Sequence, residues 1–382
     1  MKMNDAMFRC RRLINILPAC LYALLLICSS CNSRYGNVEG DAVGMLHSSL
    51  LEITECDGYT VADIKNPWGK GLLRRYLLVP KGCELPSGLP AGDLLRVPLE
   101  NCIVFSGVHA ALLDELGTAS AISGVCDRQY IYSSAVNAGL EKGAIADCGS
   151  SLNVDAEAVA QVSPDAIFVL PFENGGYGKL DKMPFPLVEC ADYMESSPLG
   201  CAEWVRFYGR LLGKAQKSDS IFNVVCKEYE AIRSIVATAE NRPKLMCELK
   251  SSSAWYVPGG NSTMGRMYND AGAEYLFSGF GANGSLPLSY EVVLYKASEA
   301  DIWLFKYNSE NDKTRSSLLA EFDGYCHFKP FETGNVHACN TRRNNLFEEA
   351  SFHPERLLKE LAALFHPSLF PEYKPFYYEK IE

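Results

Sequence analysis

SDSIFNVVCKEYEAIRSIVATA, from Ser218 to Ala239, is the stretch on which the organisation of the chain turns. Ile221, Phe222, Val225, Tyr229, Ile232, Ile235 and Val236 recur at helical spacing, and Ser218 or Asp219 stands where a cap belongs. At about 1.5 Å per residue, roughly 20 residues span about 30 Å, enough to cross from one lobe to another. The pattern on either side is the same. Upstream, strand-type runs at 102–105, 121–125, 166–170 and 186–190 alternate with helical runs at 108–116 and 156–162. Downstream, strands at 244–249, 301–305 and 336–339 alternate with helices at 263–271, 290–296 and 354–365. Continuous apolar strands between helices mean a mostly parallel sheet covered on both faces.

A shorter helix precedes the long one. Ser197 caps it with Pro198 at the first helical position, Trp204, Val205, Tyr208, Leu211 and Leu212 share a face, and Gly213 stops it. A weak internal repeat pairs residues 157–170 with 291–304: in each, a Glu opens a short helix and an acid eight residues later precedes a buried strand. The fold class expected is therefore α/β, with two Rossmann-like lobes joined by a single long α-helix. Short β-type runs over 57–101, split by Pro, Gly and Asn, add a small antiparallel N-terminal appendage.

The first thirty residues are a separate object. Arg9, Arg11 and Arg12 precede an apolar run over 13–27, broken by Pro18, and Ser29-Ser30-Cys31 comes after it. A small residue before a Cys at the end of such a run marks a lipoprotein signal, with Cys31 as the lipidated residue. The divisions expected are 1–30 signal peptide, 31–50 tether, 51–196 N-terminal lobe with appendage, 197–240 helical segment with the linker, and 241–382 C-terminal lobe. Eleven later cysteines are scattered with no C-x-x-C pair, which excludes zinc-ribbon and thioredoxin readings; most sit in apolar segments, as buried thiols do. The net charge of -10 carries no basic stripe, so nucleic acid is not a partner.

Catalytic signatures are missing: there is no G-x-S-x-G, H-E-x-x-H or P-loop. Gly279-Phe-Gly-Ala-Asn-Gly284 fits G-x-G-x-x-G by spacing but runs into Ser285-Leu286-Pro287, not a long helix, and so reads as a loop.

Three segments resemble a known family. Glu157 through Ser163-Pro164-Asp165 and the strand after it, Ser197 to Gly213, and Phe352-His-Pro-Glu-Arg to Phe370 are similar to segments of the periplasmic-binding proteins for vitamin B12, ferric siderophores and haem. The likeness covers roughly 100–372. It implies a lipid-anchored substrate-binding subunit of an ABC importer, facing the periplasm at the cell envelope, monomeric, without cofactor and not an enzyme. It implies a cobalt- or iron-containing chelate held between two lobes that close only modestly, the membrane reached through the lipid, and the permease subunits as partners. By position, Glu157 and Glu291 correspond to the carboxylates that dock vitamin B12-binding relatives on permease arginines; both also suit the first turn of a helix on dipole grounds alone. Two other readings stay open: a surface nutrient-capture lipoprotein without a permease, and a hydrolase using cleft carboxylates.

Ligands in open α/β sheets bind beyond the carboxyl ends of strands. Ser106, Gly107 and His109 follow the first strand, Tyr130 the second and Tyr177 the third; Trp255, Tyr256 and Gly260 follow the fifth, and Asn340 and Arg342 the last. Aromatic faces suit a flat macrocycle or a catecholate chelate, and Gly260 lets backbone approach it. His109 is placed where an imidazole could ligate the metal axially, and Arg342 where it could pair an anionic chelate.

Overall fold

The computed structural model of this chain describes residue 36 and residues 38–382. Its N-terminal part is a five-stranded sheet in sequential order: β1 (Asp41–Val43), β2 (Leu51–Cys56), β3 (Tyr59–Lys65), β4 (Leu72–Pro80) and β5 (Asp93–Val97). The first four form an antiparallel meander, but β5 runs parallel to β4, against the all-antiparallel expectation. The connection from Lys81 to Gly92 carries the chain back to the starting end, which a tight hairpin could not do.

The first lobe holds β6 (Cys102–Val104), β7 (Ile122–Val125), β8 (Ala146–Asp147), a ribbon of β9 (Gly149–Ser150) and β10 (Asn153–Val154), then β11 (Ala166–Val169) and β12 (Leu187–Glu189). Apart from the ribbon these form one parallel sheet in the order β12-β11-β6-β7-β8. Its central strands are buried on both faces: Cys102, Val104 and Phe168 join the large core, while Ile103, Ile167 and Val169 join a smaller one. That explains why β6 and β11 read as unbroken apolar runs.

The second lobe repeats the design. It contains β13 (Lys244–Cys247), β14 (Lys250–Ser251), β15 (Ala254–Pro258), β16 (Glu274–Tyr275), β17 (Ser285–Leu288), β18 (Ile302–Tyr307), β19 (Val336–Asn340) and β20 (Glu379–Lys380). The main sheet runs β16-β13-β18-β19-β20, parallel except for the antiparallel edge strand β20. A small antiparallel sheet, β14-β15-β17, stands beside it. The Gly279–Gly284 stretch is a loop that leads into the strand β17.

One helix, Ala215–Val236, links the lobes. It starts three residues before the expected cap. Ser218 is fully buried, and its hydroxyl donates to the Ala215 carbonyl at 2.8 Å inside the helix instead of capping it. The packing behind this is close: a Cβ on Gly209 would lie 2.0 Å from Ser218 Oγ, so only glycine lets the helix Val205–Leu211 approach. Phe222, Val225, Tyr229, Ile232 and Val236 form the buried stripe. Arg210 ties the linker to the appendage, donating to Glu55 at 2.8 Å and Asp219 at 3.2 Å.

The appendage covers an edge. Tyr76 stacks on Phe207, ring centroids 5.9 Å apart. Its hydroxyl donates to the Leu187 carbonyl at 2.9 Å and accepts from the Glu189 amide at 2.8 Å. These are outward-facing backbone groups of β12, the edge strand, which would otherwise be buried and unpaired.

The expected tether, 31–50, is anchored to the body well before residue 51. β1 pairs with β2, and the backbone from Leu46 to Leu50 wraps two buried carboxylates. Glu203 accepts the amides of Leu46, His47 and Ser48 at 3.0, 2.8 and 2.8 Å; Glu195 accepts those of Ser49 and Leu50 at 2.9 and 3.0 Å. The segment 1–30 and Cys31 lie outside the described residues. No described helix is long and apolar enough to cross a membrane.

Candidate ligand cleft

The carboxyl ends of the two parallel sheets face each other. Two bridges fix this. Tyr132, seven residues beyond β7, donates its hydroxyl to the Thr341 carbonyl at 2.7 Å and its amide to Glu348 at 2.8 Å, both beyond β19. Thr263, beyond β15, donates to the Glu195 carbonyl, beyond β12, at 2.7 Å. A third contact, His353 Nε2 to Glu115 at 2.8 Å, closes the flank of the same junction. Around it lies a depression of about 500 Å³ lined by Asp114, Tyr132, Glu348, Phe352, His353 and Arg356 among others.

Exposed aromatics follow the strand ends of the first lobe, Tyr130, Phe172 and Tyr193, and Tyr256 is exposed on β15 of the small sheet beside the second; each is at least 50% exposed. Phe172 meets Tyr177 edge-on at 6.2 Å. In the second lobe, Glu248 follows β13 in a left-handed conformation (φ 63°) and pairs with Lys306 of β18. Burial alone would lower the ammonium's proton affinity, but Glu248 outweighs it and keeps Lys306 charged, its pKa well above the ordinary value.

The sequence-selected residues divide into those at the surface and those withdrawn from it. Tyr130 and Tyr256 are exposed. Arg342 is exposed and paired with Glu310 at 3.0 Å. Ser106 caps the helix Gly107–Glu115, accepting from the Val108 amide. Gly107 is buried, because a Cβ there would lie 2.5 Å from the Tyr130 carbonyl and 2.7 Å from Glu348. Tyr177 is half-buried, its hydroxyl turned onto Glu189. Gly260 serves packing: a Cβ would meet the Ser278 carbonyl at 1.9 Å. Asn340 is 8% exposed and donates to the Ser309 carbonyl at 2.9 Å.

Two placements are corrected. Trp255 is 0% exposed and sits in the second lobe's core, its Nε1 donating to the Cys247 carbonyl at 2.9 Å. His109 is 2% exposed, turned inward from its helix among Phe168, Tyr208 and Phe352. Neither presents a face to a ligand in this structure.

His109 belongs to a buried network. Its Nε2 lies 3.0 Å from Asp192 Oδ1 and 3.1 Å from the Tyr208 hydroxyl, which donates to Asp192 at 2.5 Å. Burial disfavours a charged imidazole, but neighbouring Cys190 and Asp192 raise its pKa well above the ordinary value. His109, Cys190 and Asp192 offer donor atoms within 4.8 Å of one another, the right chemistry for a divalent metal. In this structure His109 and Asp192 are hydrogen-bonded to one another and to the Tyr208 hydroxyl. The network fastens the end of β12 to the helices behind it.

Glu157 and Glu291 occupy matching places, in the first turns of the helices Ala156–Val162 and Tyr290–Ala297, capped by Asp155 and Ser289. Each helix returns antiparallel to the strand that follows it, so each carboxylate comes out on the cleft side of its lobe. Both are exposed, and neither has a cationic partner among the described residues. A backbone amide at its own helix start and the Ser289 hydroxyl hold the Glu291 carboxyl below its ordinary pKa.

Tyr193, Tyr132 and Glu248 were missed by the strand-end reading. Tyr193 and Glu248 follow β12 and β13 closely enough for the same rule to find them; Tyr132 lies too far past β7.

Comparison with known proteins agrees with the architecture. An uncharacterised lipoprotein of Methanocaldococcus jannaschii is 26% identical over 324 residues, 80% of this chain and 76% of that one. A periplasmic haem-binding protein of Pseudomonas aeruginosa superposes with a TM-score of 0.57 at 17% identity, covering 74% of this chain and 98% of that one. An ABC-type Fe3+-hydroxamate transport protein of Saccharomonospora viridis does so with a TM-score of 0.57 at 15% identity, covering 73% and 96%. At such identities the solved structures speak for the fold alone. The model of the periplasmic binding protein family matches residues 104–342, which span the first lobe, the linker helix and the second lobe through β19, and the chain is a member of that family.

Proposed function

We propose that this protein is the lipid-anchored, substrate-capturing subunit of an ABC importer for a metal-chelate nutrient: a ferric siderophore, haem or cobalamin. The observation that carries the reading is the pair of parallel sheets whose carboxyl ends confront each other, with Tyr130, Phe172 and Tyr193 exposed beyond the strands of the first and Tyr256 exposed on the small sheet beside the second. Broad aromatic faces with backbone and a few charged groups between them suit a flat, delocalised guest. The haem and ferric-hydroxamate names of structural neighbours, and the lipoprotein relative, lend support. Cys31 is the proposed lipid site, and Glu157 and Glu291 the proposed contacts to permease arginines: two unpaired carboxylates on one rigid body fix orientation as well as attraction.

The test is titration of the purified protein with haemin, a ferric siderophore and cyanocobalamin, followed by calorimetry and thermal melting. A binder at 100 times its Kd gains about 2.7 kcal/mol and melts higher. Failure of all three to bind, or turnover of any of them, sinks the proposal.

A further inference from the structure

Of the four tryptophans, Trp204, Trp255 and Trp303 are each 0% exposed. The fourth, Trp68, is only half-buried, and it sits in the β3–β4 turn of the appendage, outside both hydrophobic cores. That turn, Asn66 to Gly71, is shaped by its own bonds. The Trp68 amide donates to Asn66 Oδ1 at 3.0 Å, the Asn66 amide donates to the Gly71 carbonyl at 2.9 Å, and Gly71 takes φ 87°, a conformation suited to glycine.

Its base is fixed at the lobe junction. On one side Arg74 Nε donates to Glu189, the last residue of β12, at 3.2 Å. On the other a relay runs to the second lobe: the Lys65 amide to the Leu50 carbonyl at 2.7 Å, the Leu50 amide to Glu195 at 3.0 Å, and Thr263 Oγ1 to the Glu195 carbonyl at 2.7 Å. Arg74 is therefore level with the carboxyl end of β12. At about 3.3 Å per residue, the two or three residues beyond it carry the turn roughly 10 Å further, past the sheet end where Phe172 and Tyr193 are exposed.

We infer that the Trp68 turn is an added wall of the ligand cleft, whose indole offers a flat apolar face to a planar or aromatic metal chelate. Lys70, exposed beside it, supplies a positive charge suited to a guest bearing carboxylates. The inference rests on the chelate-binding reading of the cleft and names the residue that widens the guest's aromatic contact on the appendage side.

The experiment is calorimetric titration of the full chain, of Trp68→Ala and of Trp68→Phe with haemin, a ferric tris-catecholate and cyanocobalamin. Affinity for the best-bound probe is expected to fall about tenfold in W68A, the scale of one good aromatic contact, and to be largely kept in W68F. Melting temperature should fall by no more than a few degrees, because the half-buried Trp68 joins neither core. Hydroxyl-radical footprinting of the unmutated protein gives a second reading, with Trp68 protected when probe is bound. Equal affinity in W68A, or an unprotected Trp68 in the complex, overturns the inference and leaves the cleft reading standing. If the unmutated protein takes none of the probes, both fall together.

Discussion

Replacing Tyr76 by Phe removes one oxygen and nothing else, since the ring stays stacked on Phe207. Two backbone groups lose their partner: the Leu187 carbonyl, bonded at 2.9 Å, and the Glu189 amide, bonded at 2.8 Å. Both lie under a side chain that is 0% exposed, so water does not replace the hydroxyl without opening the contact. A buried group left unpaired costs about 1–3 kcal/mol, so the pair should cost roughly 2–5 kcal/mol. Urea unfolding should show the midpoint falling by about 1 M with the slope unchanged. Amide exchange at Glu189 should quicken ahead of the rest of the first lobe. Chelate affinity should stay put if the appendage remains docked. A Y76F protein within about 0.5 kcal/mol of the parent, with Glu189 still protected, would refute the argument: the edge of β12 would then not depend on this hydroxyl.

Charge reversal at Glu157 and Glu291 together should abolish uptake in a reconstituted importer while leaving calorimetric affinity for the chelate within about twofold; a matching loss of affinity would remove them from docking. The inter-lobe flank should weaken as pH rises. Burial opposes charge on His353, but Glu115 and Glu355 outweigh it and raise its pKa to about 9, so its contribution is whole below the ordinary 6.5 and is lost through about 9. Burial raises Glu348 to about 7 from 4.5, so its contribution is likewise whole below 4.5 and is lost through about 7. Melting temperature should therefore fall between pH 6 and 9, more steeply than in a His353→Gln, Glu348→Gln variant; a flat profile in the parent counts against the assignment. Solution scattering with and without chelate should show only a slight compaction, because the 22-residue linker is packed along its length.

The architecture was legible because apolar runs at strand length alternate with helical ones, and because several helices announce their ends. Pro354 at the first helical position fixes Pro354–Phe365 to the residue, and Ser262 and Ser289 cap Thr263–Asp270 and Tyr290–Ala297. The linker start was misread because Ser218, a good cap by type, is held inside by Gly209, and nothing in sequence shows which helix passes there. Site residues were harder for a geometric reason. Trp255 and Tyr256 are neighbours on β15, yet one is 0% and the other 50% exposed, since successive side chains leave a strand on opposite faces. Which face is the core depends on the Leu286 and Leu288 pairing of β17, a long-range fact. The Leu46–Leu50 wrap was invisible for a similar reason: its partners, Glu195 and Glu203, lie about 150 positions away.

That wrap, with the β1–β2 pairing before it, sets where a leash would be tied. An acyl chain on Cys31 would be joined to the body at Asp41, ten residues on, so the two could lie at most about 35 Å apart. That point lies on the appendage, where Asp41 pairs with Glu55 and Arg210 joins Glu55 to the start of the linker, so the cleft side bearing Glu157 and Glu291 would stay free to meet a transporter. If Cys31 carries a lipid, lengthening the stretch before Asp41 should change how far the protein ranges from a membrane without changing its affinity for a chelate.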